Sequence, residues 1–186
     1  KNSKIYIAGH TGLVGSAVVR RLKHFGFKNL IVEKRSELDL RDQTKVKNFF
    51  YKYKPQGVIL CAAKVGGILV NSTKKADFLY DNIMIETNII NSAKENNCKS
   101  LVFLGSSCIY PKNFNKAIKE DFLLSSKLEK TNESYAVAKI AGVKLIEAFN
   151  FQYSTNFKCL MPCNTYGPND NYDNNNSHFL PAIIKK

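Results

Sequence analysis

Tyr135 and Lys139 stand one helical turn apart in the run NESYAVAKIAG (132–142), which carries alanines at 136, 138 and 141 and no proline. That composition favours a helix, and a helix sets both side chains on one face. A tyrosine ordinarily ionises near pH ~10, and an ammonium within a few ångströms favours the phenolate, bringing the phenol into range for proton transfer near neutral pH. Tyr135 is thus a candidate general acid toward a carbonyl under reduction, with Lys139 as its charged partner. The same spacing also describes an ordinary helical pair with the lysine stem over the ring, so the choice turns on what the rest of the chain brings to it.

Reduction of a carbonyl needs a hydride source, and the start of the chain has the pattern of a dinucleotide site. Lys4 to Ala8 (KIYIA) reads as a strand, stopping at Gly9–His10–Thr11–Gly12–Leu13–Val14–Gly15, and an amphipathic run from Leu13 to Phe25 follows. In that order Gly9 permits the tight turn, Gly12 lets backbone approach a pyrophosphate, and Gly15 lets the helix pack on the strand. The helix N-terminus then offers unpaired N–H groups to the anion. Asn29 to Glu33 reads as the second strand, whose end is where the adenosine ribose is read. Glu33 there favours a free 2′-hydroxyl and NAD. Lys34 and Arg35 favour a 2′-phosphate, because a guanidinium binds phosphate through a fork, and the two cations tip the reading toward NADPH.

The remaining elements alternate as an α/β, doubly wound parallel sheet requires. A helix is predicted over Asp42 to Tyr53, capped by Asp39 or Asp42, then an apolar third strand, Gly57 to Ala62, and a glycine-bearing loop, Ala63 to Ile68. Ala76 to Asn97 is helical and apolar on more than one side, which suggests either a second copy of the chain against it or deep burial in a monomer. Ser100 to Leu104 is the fourth strand, followed by Gly105–Ser106–Ser107–Cys108. Ser106 is placed to donate a hydrogen bond to a substrate carbonyl, or simply to form a turn. Cys108 is a candidate acid/base or a small buried thiol. Asn113 to Thr131 lacks periodicity and reads as a lid or surface excursion. The Tyr135 helix should run to about Phe149, with the fifth strand over Asn156 to Met161. Pro162 to Pro168 leaves that strand, an asparagine-rich loop spans Asn169 to Ser177, and His178 precedes a helix, Leu180 to Lys186. The sequence stops inside that helix without a C-cap glycine, so the chain reads as a fragment.

The 186 residues suit one domain, 1–186, with a full core. The formal charge of +13 raises nucleic acid as a partner, but the lysines are scattered rather than gathered in a stripe with interleaved aromatics, which argues against it. The five cysteines have no CxxC or Cys/His spacing suited to zinc and read as reduced thiols of a cytoplasmic protein, with no metal expected. No stretch approaches the ~20 apolar residues of a membrane span.

With those motifs placed, the chain resembles the extended short-chain dehydrogenase/reductases, and within them the branch that epimerises and reduces a GDP-linked 4-keto-6-deoxy sugar. The stretches that carry the likeness are IAGHTGLVGSAVVRRL (7–22), AAKVGGI (62–68), FLGSSCIYPK (103–112), NESYAVAKIAGVKL (132–145), and NTYGPNDNYD with NSHFLPAII (164–184). The resemblance implies a Rossmann fold truncated before its substrate domain, NADPH/NADP as cofactor, and a homodimer through the helices at 76–97 and 133–150. It implies Cys108 and His178 as the acid/base pair for C3 and C5, and Ser106, Tyr135 and Lys139 for hydride transfer to C4. Cofactor contacts are implied at Gly9, Thr11, Gly12, Leu13, Val14, Gly15, Arg35, Leu104, Gly105, Ser106, Lys139, Pro162, Asn164, Thr165 and His178, and a contact with the GDP-sugar substrate at Lys186. Two departures stand out: Thr11 and Lys186 occupy positions where relatives carry arginine. Alternatives are a nucleotide-sugar 4-epimerase or 4,6-dehydratase, the latter expected to carry an Asp–Glu pair where Ser107 and Cys108 stand, or a non-catalytic NADP-binding module.

Overall fold

The computed structural model describes residues 1–112, 117–173, 177 and 179–184. Five parallel strands, β1 (Ile5–Ala8), β2 (Leu30–Ile31), β3 (Gly57–Leu60), β4 (Ser100–Leu104) and β5 (Phe157–Leu160), form one sheet in the order β2-β1-β3-β4-β5. Parallel neighbours need a crossover, and helices supply each one. These are α1 (Leu13–His24), α2 (Gln43–Tyr53), α3 (Ile68–Thr73) with α4 (Lys75–Glu95), and α5 (Glu133–Tyr153); α6 (Phe179–Ile184) follows β5. The strand order reverses at β1, between β2 and β3, and a crevice at the carboxyl ends of the strands is where such sheets take ligands.

Three elements depart from the sequence expectation. β2 is only Leu30–Ile31, so Val32 and Glu33 already lie in the loop beyond it. α3 starts after Gly67, inside what reads as loop, because Gly67 is extended and Asn71 ties the turn down by donating to the carbonyls of Gly66 and Gly67. The segment expected as an excursion is partly anchored, since Leu123 and Leu128 pack against the core and a short helical turn forms at Glu120–Phe122. Asp42, not Asp39, caps α2, accepting the Lys45 N–H at 3.0 Å.

α4 packs against both α2 and α5. Between these helices and the sheet lie Tyr6, Phe49, Phe50, Leu60, Ile89, Ile90, Leu101, Phe103 and Phe157, all buried. Tyr6 stacks within 4.7 Å of Phe49, whose ring lies equally close to Tyr53, so the aromatic face of α2 is fixed to β1. The inward face of α4 is mixed rather than apolar. Asp81, Asn82, Glu86, Asn88 and Ser92 are all buried on it, while Ile83, Met84 and Ile85 are only half-buried.

Candidate active site

The loops leaving β1, β4 and β5 meet at the carboxyl edge of the sheet. Gly9 turns with φ +83°, a left-handed conformation that favours glycine, and a Cβ there would come within 2.7 Å of the Ala62 backbone. A Cβ on Gly15 would collide with the Gly9 carbonyl, so the approach of α1 to the turn depends on that glycine as well. Gly12 precedes α1 in an extended conformation, and no side chain caps the helix. Thr11 and Gly12 are exposed, Leu13 and Val14 half-buried. Open N–H groups at a helix start, approached only past glycine, suit a pyrophosphate. His10 carries a buried Nδ1 with no hydrogen-bond partner among the described residues.

Beyond β4, Gly105 is held by its N–H donating to the Leu160 carbonyl at 2.8 Å, and Ser107 N–H donates to the Pro162 carbonyl at 3.3 Å. The serine loop is thereby fastened to the start of the β5 loop, where Pro162 is half-buried and Asn164 and Thr165 are exposed. The β5 loop returns to α1, with Asn169 Nδ2 donating to Ser16 Oγ at 3.0 Å. Ser106 Oγ accepts the Cys108 N–H at 3.2 Å, starting a helical turn that holds Cys108 half-buried. Leu104 is also half-buried, at the end of the strand.

The first turn of α5 brings Tyr135 to this loop, where its phenol hydrogen-bonds the Ser106 hydroxyl. Ser106, Cys108, Tyr135 and Lys139 therefore come together. The expectation that Lys139 pulls the Tyr135 proton off more readily needs correction. Burial first, then Cys108 and Glu86, hold the phenol well above its ordinary pKa, with the Ser106 hydrogen bond opposing them. The ammonium of Lys139 sits 2.9 Å from Glu86 Oε1 and 5.8 Å from the centre of the Tyr135 ring, so its charge is taken up by the acid. Arg35 is exposed in the turn beyond β2, where its charge acts on Asp39, and half-buried Glu33 accepts the Lys34 N–H at 3.3 Å. His178 and Lys186 lie outside the described residues.

Sequence reading missed the polar groups of α4 and their partners. Arg41 forks onto Asp39, with Nη2 2.6 Å from Oδ2, and also reaches Asp81 at 3.1 Å. Asp81 in turn takes Lys64 at 2.8 Å. This chain of charges joins the loops after β2 and β3 to α4, and the guanidinium holds the Asp39 carboxyl down at about 2, chiefly through its hydrogen bonds. Asn88 Nδ2 donates to the Leu40 carbonyl at 2.9 Å, fastening the same loop. The available signal was a cluster of acids and asparagines in a helix otherwise read for its isoleucines.

The sequence model of the NAD dependent epimerase/dehydratase family matches residues 5–186. The chain belongs to that family. It is 53% identical to GDP-L-fucose synthase 1 of Arabidopsis thaliana over 186 residues, all of this chain and 58% of that protein. It is 49% identical to GDP-L-fucose synthase of Escherichia coli K12 over 183 residues, 98% of this chain and 57% of that one. Among solved structures, a GDP-mannoheptose C4 reductase from Campylobacter jejuni with NADP bound superposes with a TM-score of 0.93 at 44% identity, covering 99% of this chain and 55% of its own. The chain thus spans between half and three fifths of the length of these relatives. Its five cysteines are free thiols. Among the described residues no helix is long and apolar enough to cross a membrane, and no cluster of His, Cys, Asp or Glu is arranged to hold a metal.

Proposed function

We propose that this chain is the cofactor-binding and catalytic part of an NADPH-dependent epimerase/reductase that converts GDP-4-keto-6-deoxy-D-mannose to GDP-L-fucose. The observation that carries the reading is the meeting of Ser106, Cys108 and Tyr135 at the carboxyl edge of the sheet, beside the glycine turn, in a chain about half identical to proteins named GDP-L-fucose synthase. The uncapped start of α1 and the open approach past Gly12 fit the pyrophosphate of NADPH, with Leu13, Val14 and the backbone of Leu104, Gly105 and Pro162 lining its path and Asn164 and Thr165 beyond. Arg35 is the candidate for the 2′-phosphate and Lys186 for the substrate diphosphate.

Cys108 and His178 act as the acid/base pair that removes and returns protons at C3 and C5, which the C4 ketone makes acidic. NADPH, when bound, would supply the hydride for C4. Tyr135 donates its phenolic proton to the C4 oxygen as the ketone becomes an alcohol, and Ser106 orients that oxygen. Burial keeps the phenol protonated, which is the form a reduction requires. Lys139 would hold the nicotinamide ribose.

Two structural expectations join this reading. Residues 1–186 are the dinucleotide-binding domain of a protein with a further substrate-binding part, and Leu160 on β5, 53% exposed, belongs under that part. Two copies pair through α4 and α5, where Tyr80 and Val137 present exposed apolar surface. The test of function is to run the full-length protein in deuterium oxide with GDP-4-keto-6-deoxy-D-mannose and NADPH. Deuterium at C3 and C5 of the product, lost in Cys108→Ser, supports the proposal. NADPH oxidation without deuterium at either carbon contradicts the epimerase half and leaves a C4 reductase.

A further inference from the structure

Glu86 has no part in the reaction just described, yet it lies at the centre of the site. It projects from α4 into the space between Phe103 of β4 and Gly142 of α5, and is 1% exposed. A Cβ on Gly142 would come within 2.8 Å of Glu86 Oε2 and 2.6 Å of the Phe103 ring, so α4 and α5 approach this closely because position 142 lacks a side chain. Lys139 Nζ stands 2.9 Å from Glu86 Oε1 and 4.5 Å above the Phe103 ring centre. Neither carboxylate oxygen receives a well-directed hydrogen bond among the described residues, so the pair is held by charge. A buried ion pair contributes little to stability compared with apolar packing of the same volume. Its consequence lies in the field felt by Tyr135, one turn away.

We infer that Glu86 is a positioning residue for the reduction. By taking up the charge of Lys139 it keeps Tyr135 as the neutral phenol that donates a proton, and so biases the site toward reducing a ketone rather than oxidising an alcohol. This rests on the reading of Tyr135 as proton donor given above.

The groups around the phenol act with opposed signs. From α4, Glu86 raises its pKa, as does Cys108 from the loop after β4; Ser106 in the same loop lowers it through its hydrogen bond. From the end of β3, Cys61 faces Lys139, but burial pushes that thiol up to about 11, so it stays neutral through the working range. The cation of Lys139 is the group able to draw the Tyr135 proton away, and it is paired. Burial raises the Glu86 carboxyl to about 7 against the pull of Lys139. Glu86 therefore gains its negative charge as pH rises through neutrality, and shields the phenol at the alkaline pH where an unpaired ammonium would begin to strip it.

The experiment is the pH profile of single-turnover NADPH oxidation by the full-length protein with GDP-4-keto-6-deoxy-D-mannose, in wild type, Glu86→Gln, Glu86→Asp and Tyr135→Phe. Glu86→Gln keeps shape and removes charge, leaving Lys139 to act on Tyr135. The alkaline limb, where the proton donor is lost, should then move down by at least about one pH unit, while Glu86→Asp keeps the wild-type limb. A uniform loss of rate at every pH in Glu86→Gln, with no movement of the limb, is what a packing role predicts and overturns the inference. Should Glu86→Gln not fold, Glu86→Ala takes its place in the same profile: a limb moved down supports the inference and an unmoved one overturns it. Turnover retained in Tyr135→Phe overturns the proton-donor reading and this inference with it. Turnover lost in Tyr135→Phe, with coincident limbs in wild type and Glu86→Gln, overturns the inference alone.

Discussion

Asn82 closes both backbone groups of Lys64: its Oδ1 accepts the Lys64 N–H at 2.8 Å and its Nδ2 donates to the Lys64 carbonyl at 3.0 Å. A buried side chain on α4 thus sets the path of the loop after β3, which forms one wall of the crevice. The same amide nitrogen donates to the Phe78 carbonyl at 2.8 Å, so Asn82 cannot swing away without leaving polar groups unmatched.

Asn82→Ala should therefore destabilise the protein by about 2 kcal/mol, the cost of stranding partly buried backbone donors and acceptors. The check is the denaturant midpoint. Asn82→Asp keeps the accepting oxygen but sets a buried carboxylate against the Lys64 and Phe78 carbonyls, and should destabilise at least as much as alanine.

Gly9→Ala should be more damaging than Gly12→Ala. The first forces a side chain into a left-handed turn and against the Ala62 backbone, whereas the added methyl at Gly12 meets only the Gly9 carbonyl, at 3.6 Å. Thermal unfolding should show a clear loss for Gly9→Ala and little for Gly12→Ala. NADPH titration of the Gly12 variant should nonetheless show weakened binding, because the methyl intrudes where a pyrophosphate approaches.

Stability should fall as pH is raised from 5 to 8. Burial lifts the Glu86 carboxyl from its ordinary value to about 7 in the folded chain. The folded state then holds a proton that the unfolded chain has already released, and that advantage disappears as pH rises through about 7. The melting temperature should decline over this window, and Glu86→Gln, which does not titrate, should flatten the slope.

Ser106→Ala removes the hydroxyl that hydrogen-bonds the Tyr135 phenol. Removing that bond raises the phenol further and leaves the substrate oxygen less well oriented. The reduction rate in the full-length protein should drop by roughly ten- to a hundred-fold with NADPH affinity largely kept, a pattern visible in single-turnover kinetics.

Much of this arrangement is legible from residue order. The glycine turn between an apolar run and an amphipathic one locates β1 and α1, and β4 is bounded as its apolar run predicts. Tyr135 and Ser106 could be expected at one edge because both follow β4 in a parallel sheet. The partner of Lys139 could not, since Glu86 lies far along the chain in NIMIETNII, a run whose isoleucines dominate any hydrophobic period. Periodicity ranks faces by apolarity, and it does not show which polar groups meet across two helices. The shortness of β2 escaped for a related reason, because Val32 suits a strand by type, yet is exposed beyond the last paired residue.

The most direct test of the central claim is the oxidation of NADPH by the full-length protein with GDP-4-keto-6-deoxy-D-mannose, followed by the loss of the reduced nicotinamide's absorbance, in wild type and Tyr135→Phe. The account predicts turnover in wild type and a loss of at least about a hundred-fold in the variant, with NADPH still bound. Equal turnover in the two proteins, or none in wild type with either NADPH or NADH, would contradict it.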